Sequence, residues 1–240
     1  MTTARTIILA AAIALAGLFI GVGFARGRAS DRFVTVKGVS ERAVRADLAI
    51  WPLHLVAADD SLGRAHAKLD EGVRRVRQFL AQQGIDTAAV ALQDFGVTDA
   101  RANQYGGPTP AGSRFVIRQT VVVRSTNPEQ VERASQHVGD LVSAGVVLSS
   151  GGDYGPGGGP TFVFTKLNDI KPPMIAEATA RAREAAAQFA RDSHASVGDI
   201  RTASQGVFEI LARDQAPGIS EPSQIDKTIR VVSTVEYFLK

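Results

Sequence analysis

The chain has 240 residues, 27 Lys plus Arg against 24 Asp plus Glu, and no cysteine. The absence of cysteine removes disulfides, thiolate catalysis and Cys-based zinc sites. The +3 net charge comes from Arg5, Arg26 and Arg28, so residues 31–240 are neutral and lack the basic footprint of a nucleic-acid binder.

The first element is an uncharged apolar run from Ile7 to Phe24, bounded by Arg5 and by Arg26 and Arg28. As a helix it spans roughly 27 Å, about the hydrocarbon thickness of a bilayer. Residues 1–30 therefore read as one N-terminal transmembrane or signal helix, with membrane contact through residues 7–24. The run exceeds the apolar core of a typical signal peptide, which favours a retained anchor. Gly23 and Ala25, or Gly27 and Ala29, also offer small residues at signal-peptidase spacing, so cleavage stays open. Arg5 and the amino terminus compete with Arg26, Arg28 and Arg32, so charge leaves the orientation undecided.

Residues 31–240 read as a single α+β domain of about eight strands in mainly antiparallel sheet with three packed amphipathic helices. Strands are expected at Phe33–Val39 and Leu48–Ala57. A first helix follows from Ser61 to Gln83, with Leu62, Ala65, Leu69, Val73, Val76 and Leu80 inward. Asp59 or Asp60 can cap it, and Gly84 can end it. A strand at Ala91–Thr98 precedes one in which Phe115, Ile117, Val121 and Val123 oppose Arg118, Thr120 and Arg124.

The second helix begins at Asn127-Pro128, a cap residue followed by proline at the first helical position, and runs to Gly145. It is expected to bury Val131, Ala134, Val138, Leu141 and Val142. Strands at Val146–Gly151 and Thr161–Thr165 lead to a third helix that starts near Pro172-Pro173 and stops before Gly198. Its stripe of Ile175, Ala178, Ala182, Ala185 and Phe189 is mostly small, so its partner surface can approach closely. Thr202–Leu211 and an alternating strand through Ile229, Val231, Val235, Tyr237 and Leu239 complete the series. Asn103–Ser113, Gly152–Pro160 and Asp214–Gln224 are rich in turn residues and are expected to close hairpins.

No catalytic, cofactor-binding or metal-binding constellation emerges, and no ligand can be named. Gly151–Pro160 lacks the Lys-Ser/Thr of a phosphate loop and the GxGxxG order, so it reads as a flexible turn. Gly38-Val39-Ser40-Glu41-Arg42 lacks the second glycine of a nucleophile elbow and reads as a polar turn. His54, His66, His137 and His194 show no metal-ligand spacing. Asp59-Asp60 and Asp70-Glu71 read as capping and solvated groups, and Arg64, Arg74, Arg75 and Arg77 as a solvated face, with lipid headgroups or a partner subunit as the alternative. Trp51 reads as core.

Val34-Thr35-Val36-Lys37-Gly38 followed by Ala46-Asp47-Leu48-Ala49 resembles the opening of the SIMPL-domain family, a domain of unknown function that includes the periplasmic immunogenic protein of Gram-negative bacteria. The likeness continues through the first helix to Gly84-Ile85. It is strongest at Leu167-Asn168-Asp169-Ile170-Lys171-Pro172 and at Ala176-Glu177-Ala178-Thr179-Ala180-Arg181-Ala182-Arg183-Glu184-Ala185, and it covers roughly Phe33 to Lys240. Ala46-Asp47 departs from the Pro-Asp common in the family, and the long glycine-rich turn is peculiar to this chain.

The resemblance implies an exported, envelope-located body and a homo-oligomer, since a member of the family forms a ring-like, channel-like assembly. It also implies a link to envelope or oxidative stress. The expectation is therefore a non-enzymatic, inner-membrane-anchored periplasmic protein that self-assembles and supports envelope integrity. The alternative is a periplasmic module binding a small ligand or envelope polymer through the glycine-rich loops. An envelope hydrolase would need Ser, His and Asp side chains to converge, which spacing does not show.

Overall fold

The computed structural model describes residues 14–23, 32–102, 112–149 and 159–240. Residues 14–23 form helix α1, with Leu15, Leu18, Phe19 and Ile20 exposed. Among the described residues, no helix is long and apolar enough to cross a bilayer. The remainder of the Ile7–Phe24 run lies outside the described residues.

The architecture is α+β, as expected, with antiparallel sheets. In order the elements are β1 (Phe33–Arg45), β2 (Leu48–Asp59), α2 (Leu62–Gln82), β3 (Val90–Asp99) and β4 (Phe115–Ser125). Then come α3 (Pro128–Gln136), α4 (Gly139–Ser143), β5 (Leu148–Ser149), β6 (Thr161–Val163) and α5 (Leu167–Asp192). The chain ends in β7 (Val197–Gln205), β8 (Glu209–Ala212) and β9 (Asp226–Leu239). One sheet has the order β1-β9-β7, with β8 also on β9; the other has the order β3-β4-β2-β5, with β6 also on β2.

The chain divides into two compact units. The first comprises Met1–Arg42, Asn168–Glu209 and Ile229–Lys240; the second comprises Ala43–Leu167 and Ile210–Thr228. In the first unit Val34, Ala182, Ala186, Val235 and Tyr237 form a buried cluster. The burial of β1 alternates cleanly through Val34, Val36, Gly38 and Ser40, so Gly38–Arg42 is strand and not the expected turn. The reason is distant in sequence. A Cβ on Gly38 would lie 1.8 Å from the Ala178 carbonyl oxygen and 2.5 Å from the Ala182 nitrogen. Only glycine lets the strand backbone come this close to α5. The close approach expected of the alanine stripe is therefore real.

The stripe itself follows a strict four-residue row, Met174, Ala178, Ala182, Ala186 and Ala190, whereas Ala185 and Phe189 face out. Such a row is one of the ridges by which a helix packs. α5 also begins at Leu167, earlier than expected, and carries Pro172 and Pro173 inside it. Their missing amides forfeit two helical bonds near the start, and Lys171 Nζ donates to Asn168 Oδ1 at 2.9 Å across that turn. It ends at Asp192, where His194 takes a left-handed φ of 53° and Ala195 N–H reaches the Ala190 carbonyl at 2.8 Å. Gly84 (φ 75°) and Gly145 (φ 86°) close α2 and α4 with the same pattern, through Ile85 to Leu80 and Val146 to Leu141.

The second unit has a larger core, including Trp51, Leu53, Leu55, Leu69, Val76, Phe79, Leu80, Ile117, Val121, Val123 and Leu141. Trp51 is 1 % exposed, the core position expected of it. β2 pairs with β4 without interruption from Ala49 opposite Ser125 to Asp59 opposite Phe115. β5 and β6 both add to the far edge of β2, at Leu55–Leu148 and Ala49–Phe162, so Gly152–Pro160 does not close a hairpin between them. The β3–β4 and β8–β9 hairpins are present as expected.

The second helix is broken into α3 and α4 at His137-Val138. Asn127 caps it by accepting from Gln130 N–H, and the break leaves Val142 exposed. At α2, Leu62 is exposed and Phe79 takes a core place not assigned to it. Asp59 acts two residues before the helix cap Ser61, accepting from Ser61 N–H at 3.0 Å. Lys227 of β9 is fully buried on a face otherwise made of Ile229, Val231, Ser233, Val235 and Tyr237, where Nζ donates to the Glu221 carbonyl at 2.8 Å and pairs with the Glu221 carboxylate.

Candidate functional site

In the second unit a groove of about 730 Å³ lies between the end of β2, one face of α2 and residues 145–147. This is the size of small-ligand sites in general. Alternation along β2 places Leu55 and Ala57 on the core side, and the helical period places Leu69 and Gly72 opposite them. Gly72 keeps the middle open: a Cβ there would meet Leu55 Cδ2 at 3.3 Å and Val146 Cγ1 at 3.9 Å. Gly145, in its left-handed conformation, turns Val146 into the floor and leaves Val147 exposed at the rim. Val56 N–H donates to the Val147 carbonyl at 3.0 Å and fixes that rim to β2.

The rim is cationic. Lys68, Arg74 and Arg75 line the groove with one carboxylate, Glu71. Glu71 accepts from Arg74 Nη2 at 2.6 Å and Arg75 Nε at 2.9 Å, and these bonds, Arg74 first, hold its carboxyl below the ordinary range. Arg75 also donates to the Ala144 carbonyl, and Lys68 Nζ to the Ala58 carbonyl at 3.3 Å. Just outside the groove Asp59 receives Lys68 Nζ at 2.9 Å and Arg64 at 2.8 Å. Lys68, then Arg64, then the Ser61 amide hold the Asp59 carboxyl far below its usual value. The arginines that read as a solvated face are therefore largely engaged within their own unit.

A second hollow of about 510 Å³ opens on the sheet and is lined by His54, Asp94, Arg118, Thr120 and Ser149, among others. His54 faces Thr120 in one register and Ser149 in the other, and its Nδ1 lies 3.0 Å from the Thr120 hydroxyl. Thr120 keeps the face expected of it, beside Arg118, but is buried there with its hydroxyl on His54. Asp94 sits at φ 53° in a bulge of β3 between Gln93 and Gly96. A histidine, a serine and an aspartate thus share a hollow that their spacing could not reveal. Among the described residues no hydrogen bond joins Ser149 or Asp94 to His54.

The remaining residues of interest are placed apart. His66 pairs with Asp70 at 3.1 Å and packs its edge on Phe95. His137 Nδ1 lies 2.9 Å from the Arg133 carbonyl, and His194 ends α5. In the first unit the buried Ser40 hydroxyl donates to Glu177 at 2.8 Å, and Arg181 donates to the other carboxylate oxygen at 2.7 Å. Ser40 first and Arg181 second lower the Glu177 carboxyl. Among the described residues no group of three or more His, Asp or Glu is placed to hold a metal ion. Most of Asn103–Ser113 and Gly152–Pro160, the loops considered for binding, lies outside the described residues.

Antiparallel sheets and one long helix in each unit define the α+β class, and the second unit carries a groove with a cationic rim. Over residues 34–237 the chain matches the model of the SIMPL family, described as a protein of unknown function (DUF541). The chain belongs to that family. No curated protein matches it.

Proposed function

We propose that this chain is a non-enzymatic, membrane-anchored SIMPL-domain protein whose body stands in the periplasm, self-associates and supports envelope integrity or stress tolerance. The observation that carries the reading is the uncharged run Ile7–Phe24 ahead of a charge-neutral body. Exposed Leu92, Phe95 and Val97 on β3, which among the described residues has β4 as its one sheet neighbour, support self-association. Fractionation with N-terminal sequencing should recover the intact chain in the inner membrane, and protease added to spheroplasts should digest the body. Recovery of the intact chain in the soluble cytosol would overturn the location. Light scattering of the full chain in detergent should give a mass of several copies, and a monomer at every concentration would overturn the assembly.

A second reading, a binding module, is favoured by the groove between β2 and α2. It predicts that a small molecule from an envelope extract is retained by the full chain and lost when the groove is filled.

A further inference from the structure

The groove has chemistry that specifies a ligand class beyond mere volume. Its floor, Leu55, Ala57, Leu69 and Val146, is apolar, and Gly72 leaves room above it. Charge lies at the rim. Arg74 and Arg75 share the single carboxylate of Glu71, while Lys68 is matched by Asp59, which it shares with Arg64. Asp60 lies close enough to Arg64 to raise its affinity for the proton, so that end of the groove is balanced. The Arg74–Arg75 end is left with one positive charge in excess, and Asp140 stands with Arg75 in an adjoining hollow, outside the groove.

Both side chains are substantially exposed, at 67 % and 40 %. Arg74 holds Glu71 through Nε and Nη2, and Arg75 holds Glu71 through Nε and the Ala144 carbonyl through Nη1, which leaves Arg74 Nη1 and Arg75 Nη2 for a ligand. A single-charged planar head completes that balance, and a dianionic head overshoots it. Arginine forks also match a carboxylate in shape. From Arg75 the axis of α2 passes Gly72 and reaches Lys68 after about 10 Å, all of it over the apolar floor.

We propose that the groove between β2 and α2 binds an acyl-chain carboxylate, its head on Arg74 and Arg75 and its tail over Gly72 and Leu55. This rests on the binding reading and is independent of self-association.

The test uses the full chain in phosphatidylcholine nanodiscs and a diazirine-bearing octanoate as photoprobe. Mass spectrometry should place the label on peptides containing residues 55–58 and 146–147. Excess octanoate should suppress that label, with octyl phosphate about tenfold weaker and octanol weaker still. Arg74→Gln with Arg75→Gln should cut labelling about tenfold while Trp51 emission stays native. Octanol or octyl phosphate competing as well as octanoate, or the double variant labelling like the parent, would overturn the carboxylate assignment. Gly72→Leu supplies the check on site, since it should block labelling by every probe. No label in the groove from any probe would sink the binding reading itself.

Discussion

The two units solve the same problem, a long helix on an antiparallel sheet, with opposite materials. In the first, α5 presents alanines at four-residue spacing and β1 answers with Gly38, so backbone approaches backbone. In the second, α2 presents Leu69, Val73, Val76, Phe79 and Leu80 to a core of Trp51 and branched side chains. Small residues leave nothing to remove and little to rearrange. Large residues bury more area per position, but at the end of β2 they leave a groove beside Gly72. Interiors packed to crystal-like density permit such a hollow only where chain geometry prevents collapse. Here Gly145 and the late start of β5 do so.

That contrast fails or stands most sharply on matched glycine substitutions. Gly38→Ala should cost about 3 kcal/mol or more, because the atoms a Cβ meets are the Ala178 and Ala182 backbone. Hydrogen exchange should accelerate in α5 and β9. A variant as protected there as the parent would mean that the strand and helix can part at little cost, and the backbone-contact account of the first unit would be wrong.

How much of this was legible follows from how far each signal reaches along the chain. The limits of α2, Asn127 as a cap and the endings at Gly84 and Gly145 are local signals and were readable. Gly38–Arg42 reads as a turn from sequence because the reason for Gly38 lies some 140 residues away in α5. The early start of α5 was hidden by Pro172 and Pro173, which usually mark a helix start and here lie in its second turn. β5 and β6 looked like a hairpin because adjacency in sequence is the usual guide, yet both pair with β2. The groove could not be seen at all, since its walls come from three separated segments and its character from a glycine within a helix.

The buried charge of the second unit gives a smaller effect. Lys227 is fully buried and relies on the Glu221 carboxylate and carbonyl. Glu221→Gln keeps an acceptor but removes the compensating charge, and should destabilise by about 2 kcal/mol in urea titrations followed by Trp51 emission. An unchanged midpoint would show that water reaches the ammonium.

Gly72→Ala is the counterpart to Gly38→Ala and should be nearly silent. The new methyl meets the tip of the buried Leu55 side chain at 3.3 Å, which has to give by only a few tenths of an ångström, while the helix gains up to about 1 kcal/mol from losing a glycine. We expect a net stabilisation of about 0.5 kcal/mol, read by the same urea titration. A loss comparable to Gly38→Ala would show the groove floor to be as rigid as the first unit's interface.

The finest distinction concerns acid. In the second unit Lys68 and Arg64 hold the Asp59 carboxyl well below its ordinary value, and in the first unit Ser40 and Arg181 do the same to Glu177. A carboxyl lowered by folding contributes stability above its unfolded pKa, about 4. That contribution is lost as the pH falls through the folded value. Asp59→Asn should therefore separate from the parent at pH 7, keep the same gap down to about pH 5, and converge with it below pH 4. Glu177→Gln should show the same sign in α5 exchange, with convergence at higher pH because the pull on Asp59 is the stronger. A gap in the Asp59 variant that persists unchanged to pH 2 would mean that its ion pairs with Lys68 and Arg64 add nothing to the fold, and that their role is confined to shaping the charge beside the groove.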